Sequence, residues 1–125
     1  MNVVNQMVAK YLNEKYFGTL LVDLLTEEED KHYPDRFDID ILTKRLVRAT
    51  EWLEELPAAK DCHIGYFGAS TGAASALKAA AILPHTNAVV SRGGRPDLAM
   101  DRLTPCRSAY AFNRRQFGLR CAAIK

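Results

Sequence analysis

The chain has 125 residues, of which 48% are hydrophobic, and a formal net charge of +2 at pH 7. This size and composition predict one domain with a real core, and the near balance of charge argues against a dedicated nucleic-acid binder. No apolar run is as long as a membrane span, and the first ten residues lack a signal peptide's apolar block. Cys62, Cys106 and Cys121 show neither metal-ligand spacing nor an even disulfide set. We therefore expect a reduced, cytoplasmic protein with neither nucleic acid nor a membrane as partner.

Three segments carry apolar residues at helical spacing, and three shorter apolar runs are typical of buried strands. Gly18 is expected to end the first helix, and Asp38 to cap the second. Trp52 on the second helix is expected to pack, and the charged residues 27–31 are expected to form a solvated loop. In chain order the predicted elements are helix 2–16, strand 18–25, helix 38–56, strand 62–68, helix 71–83 and strand 87–91.

The alternation of helix and strand with short connections predicts an α/β protein. Its expected form is a three-layer α/β/α arrangement with right-handed crossovers and a parallel sheet, spanning residues 1–103. Residues 104–125 hold five basic residues, no acidic one and no clear period, so we expect an irregular basic tail. Nucleic acid is not favoured as a partner of this tail, because its aromatic residues lack a platform on which to sit.

The most informative stretch lies where the apolar run ending at Phe67 meets an alanine-rich helix. Residues 68–72 (GASTG) fit G-x-S-x-G, the nucleophile elbow of α/β-hydrolases. A serine on a strained strand-to-helix turn needs neighbours without side chains two residues away on either side, which Gly68 and Gly72 supply. The following helix would lend free N–H groups and its positive dipole end to a developing oxyanion. The spacing therefore predicts Ser70 as a nucleophile.

A glycine-rich turn follows the last predicted strand, at the edge where parallel sheets bind ligands. It carries Arg92, Arg95 and Asp97, which would share a rim with Ser70. The two arginines are candidates for a substrate rim. An equally open alternative is that all three residues only cap and turn the chain.

These segments together resemble the middle of a bacterial α/β-hydrolase, and the closest resemblance is to the dienelactone-hydrolase-like group. The resemblance extends over roughly residues 2–103, and the elbow and the SRGGRPDLA segment are its most specific parts. It implies a serine hydrolase acting on an ester or similar acyl bond, with a nucleophile, an acid, a histidine and no metal or organic cofactor. The segments that carry it are 18–25 (GTLLVDLL), 37–53, 63–81 (HIGYFGASTGAASALKAAA) and 88–98 (AVVSRGGRPDL).

Carried over by position, Ser70 matches the family's nucleophile, and the backbone N–H of Thr71 matches one oxyanion donor. Asp97 is a candidate acid, because some α/β-hydrolases place theirs after the strand that follows the elbow helix. The family's first strands and second oxyanion donor would precede residue 2, and the strands bearing the usual acid and histidine would follow residue 103. We therefore expect an incomplete member, as a truncated or frameshifted reading frame would give, with little or no activity.

The histidines do not supply an obvious base. His63 lies on the elbow strand roughly 20 Å before Ser70 at about 3.3 Å per residue. His85 lies beyond the elbow helix, also roughly 20 Å away at about 1.5 Å per residue. His32 follows the first predicted strand and is the histidine on the correct rim, but it sits in the charged loop.

The elbow segment and the first apolar run each allow a further expectation. Residues 68–74 followed by Arg92 also resemble the NADP-binding start of a short-chain dehydrogenase, with the arginine meeting the 2′-phosphate. Ala74 replaces the third glycine of that motif, and an extra β-α unit lies upstream, so we favour the hydrolase.

The run 20–25 is apolar on both faces and would lack neighbours, which predicts self-association through exposed sheet edges.

Overall fold

The computed structural model describes residues 3–32, 34 and 38–93, and the backbone of 109–112. Within these residues the chain alternates helices with a small parallel sheet, which confirms the predicted α/β class. No helix among the described residues is both long and apolar enough to cross a membrane. The elements are α1 (Val3–Glu14), α2 (Glu27–Lys31), α3 (Ile39–Glu55), β1 (Gly65–Ala69), α4 (Thr71–Ile82), β2 (Ala88–Arg92) and β3 (Ala109–Phe112).

The sheet has the order β1-β2-β3, and both pairings are parallel. Gly65 lies opposite Ala88, and Ala88 lies opposite Ala109. Because helix α4 connects β1 to β2, these three elements form a β-α-β unit with the carboxyl ends of both strands at one edge. Ser70 directly follows β1 and therefore lies at this edge.

The core lies between one face of the sheet and the helices α3 and α4. Leu77 of α4 and Val89 of β2 are fully buried, and Ile39 and Leu42 of α3 complete the cluster. Full burial of a side chain of this size stabilises the fold by about 1.5–3 kcal/mol. Small alanines on α4 let the helix approach the sheet closely. Trp52, which we expected to pack, is instead half-exposed.

Helix α1 ends in a Schellman motif rather than at Gly18. The N–H of Phe17 donates to the carbonyl of Leu12 at 3.0 Å, and the N–H of Tyr16 donates to the carbonyl of Asn13 at 3.1 Å. Tyr16 adopts φ 67°, a conformation that usually requires glycine, and its side chain is 99% exposed. The prediction that Gly18 stops the helix is therefore wrong by two residues.

We expect Tyr16→Gly to stabilise the protein by about 1 kcal/mol, because glycine removes a left-handed conformation that costs roughly 1–2 kcal/mol in other residues. The side chain of Tyr16 contributes little packing that could be lost. Tyr16→Ala keeps the strain and is the matched control, with no gain expected. Urea unfolding followed by circular dichroism measures both, and an equal gain in the two variants would contradict this explanation.

The run predicted as a strand over 18–25 forms neither helix nor strand. Its end packs against the core through Leu24 and Leu25, whereas Leu20, Leu21 and Val22 are about 40% exposed. A strand exists only where a neighbouring strand completes the ladder of hydrogen bonds. No described strand lies beside this run, so its apolar sequence alone does not make it one.

Residues 27–31 form the short helix α2, not the loop we expected. Thr26 and Glu29 make a capping box: the Glu29 N–H donates to the Thr26 hydroxyl at 3.2 Å, and the Thr26 N–H donates to Glu29 Oε2 at 2.8 Å. Arg45 of α3 then donates to both carboxylate oxygens of Glu29, at 2.6 and 2.7 Å, and to the carbonyl of Leu24 at 2.8 Å. One arginine thus ties α2 and the preceding turn to α3.

The hydrogen bonds from Arg45 and from the Thr26 backbone lower the pKa of Glu29 from 4.5 to about 2. A carboxylate with a lowered pKa in the folded state stabilises the fold fully above pH 4.5, and this contribution disappears as the pH falls toward 2. We therefore expect the native protein to lose more stability between pH 4.5 and 2 than Glu29→Gln does. Urea unfolding at several pH values measures this, and parallel pH profiles for both proteins would contradict it.

Strand β3 lies within the stretch that showed no pattern. Residues Ala109–Phe112 pair in parallel with β2, so these four residues are not irregular. The remainder of the predicted tail lies outside the described residues. The other predicted elements agree with the structure to within three residues at each end.

Candidate active site

Ser70 occupies the turn between β1 and α4, and its backbone is strained. It is the N-cap of α4 with φ 51° and ψ −123°, in a region of φ that side-chain-bearing residues rarely adopt. A serine at an N-cap normally accepts a hydrogen bond from its own helix, but Ser70 does not. The side chain is exposed. The turn therefore directs the hydroxyl away from the helix that it begins, as a nucleophile elbow does.

Gly68 is what allows this turn. A Cβ atom at this position would lie 2.6 Å from the carbonyl oxygen of Gly72 and 2.8 Å from the Cα of Ala73, both in the first turn of α4. A Cβ at Gly72 would meet nothing within 4 Å among the described residues. Gly68 therefore makes the close approach that the elbow spacing predicts, whereas at Gly72 the described residues show no such approach.

The first turn of α4 offers hydrogen-bond donors beside Ser70. The Ser70 carbonyl accepts the N–H groups of Ala73 and Ala74, at 3.1 and 3.4 Å. The N–H groups of Thr71 and Gly72 precede these and have no acceptor within the described part of the chain. Free N–H groups and the positive end of a helix dipole attract negative charge. Thr71 is the residue that the sequence singled out as an oxyanion donor.

On the neighbouring strand, Arg92 is exposed and lies opposite Ala69, so it ends at the same sheet edge as Ser70. Its part in a substrate rim stays a prediction. Arg95 and Asp97 lie outside the described residues. Ser91, which the sequence did not single out, lies opposite Gly68 and is only 4% exposed, and its hydroxyl has no hydrogen-bond partner among the residues described.

Two of the three histidines lie near the amino-terminal ends of β1 and β2, opposite the end at which Ser70 lies. His63 precedes β1 and His85 follows α4, and both line one polar cleft with Cys62 and Asn87. The Nε2 atom of His85 is hydrogen-bonded to the carboxylate of Glu54 near the end of α3. This agrees with the expectation that neither reaches Ser70. His32 is exposed at the C-cap of α2. No group of three or more His, Cys, Asp or Glu side chains in the described ranges is arranged to hold a metal ion.

A partly buried hydrogen bond joins β1, the strand that precedes Ser70, to helix α3. The hydroxyl of Tyr66 on β1 lies 2.8 Å from that of Thr50 on α3. The Thr50 hydroxyl also lies 2.8 Å from the carbonyl of Leu46, and when it donates its one proton there, it accepts the proton of Tyr66. Burial raises the pKa of the Tyr66 phenol, while the bonds from Thr50 and Thr86 oppose the rise. No local pattern indicates this contact, because Thr50 looks like an ordinary helix residue until its neighbour in space is known.

A parallel β-α-β unit with a strained serine between strand and helix is characteristic of the α/β-hydrolase fold, and the described residues form part of that fold. The structure superposes on the crystal structure of a dienelactone hydrolase from Anabaena variabilis with a TM-score of 0.79 and 48% sequence identity. That match covers 86% of this chain and 52% of the Anabaena protein, so the chain spans about half of its neighbour. The chain thus has a hydrolase-like fold.

Two curated relatives carry a different description. Putative phosphoribosyl transferases from two strains of Mycobacterium tuberculosis are 52% identical to this chain over 104 residues. The match covers 82% of this chain but only 23% of each relative. No family model matches the chain.

Proposed function

We propose that this chain supplies the nucleophile and one oxyanion donor of a serine hydrolase that acts on an ester or a similar acyl bond. The observation that carries the proposal is the backbone of Ser70, with φ 51° at an exposed position between β1 and α4. Such strain persists only where the surrounding structure enforces it, and it is concentrated at functional sites. The 48% identity to a dienelactone hydrolase supports the same reaction class.

In this mechanism the Ser70 Oγ attacks the carbonyl carbon of the substrate, and its proton passes to a general base. The negative charge that develops on the carbonyl oxygen is stabilised by the Thr71 N–H and the N-terminus of α4. Arg92, on the neighbouring strand, is proposed to contact the substrate at the rim. Asp97 is proposed as the acid, and Arg95 as a second rim residue.

The described residues do not place a general base beside Ser70. His63 and His85 line a cleft at the opposite sheet edge, and His32 is exposed on α2. A serine without an adjacent base is a poor nucleophile. General-base catalysis contributes about 10²–10⁴-fold, and one oxyanion donor contributes about 10²–10³-fold. We therefore expect the isolated chain to hydrolyse esters very slowly or not at all.

The name of the mycobacterial relatives does not change this proposal. About three quarters of each relative lies outside the match, so the name describes a protein much longer than the matched segment. A phosphate site at the start of α4 would use its free N–H groups, but it would not require a strained serine. The NADP-binding alternative fails the same test, because a backbone cradle gives no reason for the conformation of Ser70.

The experiment uses a chimera in which the aligned part of this chain replaces the matching part of the Anabaena dienelactone hydrolase. We expect hydrolysis of p-nitrophenyl acetate that is lost by at least about 10³-fold in Ser70→Ala. The matched control is Ser75→Ala in the same helix, whose hydroxyl donates to the Gly72 carbonyl and faces the interior; it should stay active. A folded chimera that is inactive, or equally active without Ser70, would overturn the proposal.

The isolated chain is assayed beside the chimera, together with its Ser70→Ala and His32→Ala variants. We expect all three to lie close to the uncatalysed rate. Robust turnover that is lost in both variants would identify His32 as the base and contradict our expectation of a missing one.

We also propose a cytoplasmic location, which the free, exposed thiol of Cys62 supports, because thiols persist in reducing compartments.

A further inference from the structure

A buried hydroxyl beside the elbow has no hydrogen-bond partner. Ser91 of β2 is 4% exposed, and its Oγ atom makes no hydrogen bond within the part of the chain that the structure describes. An unpaired buried hydroxyl lowers the stability of a fold, so such groups are few in native proteins and are found at strained or catalytic sites. Val89, on the same face of β2, shows that an apolar side chain suits this layer. The Ser91 hydroxyl therefore costs stability without a bond that offsets the cost.

The side chain of Ser91 faces the first turn of α4. Residues two apart on a strand share a face, and Val89 belongs to the same core cluster as Leu77 of α4. In the ladder, Ser91 lies opposite Gly68. A Cβ atom at Gly68 would lie 2.6 Å from the carbonyl oxygen of Gly72 in that first turn. This oxygen therefore lies above β1, and Ser91 lies one strand away from it, at a strand spacing of about 4.8 Å.

We propose that Ser91 is a positioning residue of the elbow, an inference that rests on the function proposed above. Its hydroxyl donates to the Gly72 carbonyl when the N–H groups of Thr71 and Gly72 bind the negative charge that forms during acyl transfer. These N–H groups and this carbonyl belong to one turn of α4. A movement of that turn toward β2 brings the carbonyl within reach of Ser91, and the new bond then holds the N–H donors in place relative to the sheet.

A second buried serine shows why the bond has to come from the sheet. The hydroxyl of Ser75 already donates to the Gly72 carbonyl at 2.9 Å. Because Ser75 belongs to α4 itself, this bond moves with the helix and does not fix the helix relative to the sheet. A bond from Ser91 would join β2 to α4. Ser91 is thus the serine of the two that can set the position of the oxyanion donors.

The kinetic test uses the chimera with the Anabaena hydrolase and p-nitrophenyl acetate. We expect Ser91→Ala to lower kcat roughly three- to tenfold, the value of one hydrogen bond, with KM unchanged because the bond forms only with the charge. Ser75→Ala is the matched control and should keep the native kcat. A chimera that depends on Ser70 but not on Ser91 would overturn this inference alone. A folded chimera that is inactive or independent of Ser70 would overturn it together with the proposed function.

Urea unfolding of the full chain gives a readout that does not depend on activity. We expect Ser91→Ala to keep or raise the urea midpoint, because the variant lacks the unpaired hydroxyl. Ser75→Ala should lower the midpoint, because the bond to the Gly72 carbonyl is lost. A hydroxyl with a purely structural role would make Ser91→Ala behave like Ser75→Ala. Equal losses in the two variants would therefore overturn the proposal.

Discussion

Gly68→Ala should destabilise the protein by about 3 kcal/mol or more, toward the upper end of the cost of overpacking. The added methyl group would lie 2.6–2.8 Å from backbone atoms of Gly72 and Ala73. These atoms cannot rotate aside as a flexible side chain would, so the whole first turn of α4 must move away from β1. That turn leads into the buried alanines that pack against the sheet, and their contacts would be disturbed as well.

Gly72→Ala is the matched control, because the same methyl group at Gly72 meets nothing within 4 Å among the described residues. Gly72 lies in the first turn of α4, and replacing glycine by alanine in a helix gains roughly 0.5–1 kcal/mol. Thermal and urea unfolding of both variants would measure the difference, and loss of cooperative unfolding in Gly68→Ala agrees with the expectation. A Gly68→Ala protein whose free energy of unfolding lies within about 0.5 kcal/mol of the native value would contradict the close approach of Gly68 to the first turn of α4.

Ser70→Gly should make the protein more stable while removing the proposed nucleophile. A residue held in a rare backbone region costs about 1–3 kcal/mol, and glycine adopts φ 51° without that cost. Glycine also increases the conformational entropy of the unfolded chain, which reduces the gain in stability by about 0.4–1 kcal/mol. The net expectation is a gain of about 1–2 kcal/mol, because strain relief is the larger effect.

Ser70→Ala separates the backbone from the side chain. It removes the same hydroxyl but keeps the strained conformation, so its stability should stay within about 0.5 kcal/mol of the native protein. Urea unfolding of the three proteins gives the comparison. If Ser70→Gly is no more stable than Ser70→Ala, the strain is not stored at this residue, and the main support for the proposed function is lost.

The sequence predicted the elements whose pattern is local. The helical spacing of apolar residues located α1, α3 and α4, and the apolar runs located β1 and β2. The G-x-S-x-G spacing placed Ser70 at the turn, because a strand and a helix flank it directly in the chain. Helix α2 was missed although Thr26 and Glu29 have the spacing of a capping box, a signal that was available in the sequence.

Other features depend on neighbours that are distant in the chain. Residues 18–25 look like a strand, but a strand also needs a partner, and no local pattern reveals whether one is present. Conversely, β3 has a weak pattern of its own and exists because β2 offers an edge on which it can pair. The role of Tyr16 in ending α1, the contact of Tyr66 with Thr50 and the buried hydroxyl of Ser91 all follow from three-dimensional packing.

The parallel pairing of the strands also bears on how this chain folds. Gly65 pairs with Ala88, and Ala88 pairs with Ala109. The two strands of each pair are therefore separated by roughly 20 residues of chain, which must close into a loop before the first hydrogen bond between the strands can form. Contacts of this sequence separation slow folding. Alanine-rich α4 can form early, since its residues favour helix, and at about 1.5 Å per residue it shortens the distance that the chain must span. We infer that α4 forms before the sheet, and that the strained turn at Ser70 is completed only when β1 and β2 come together.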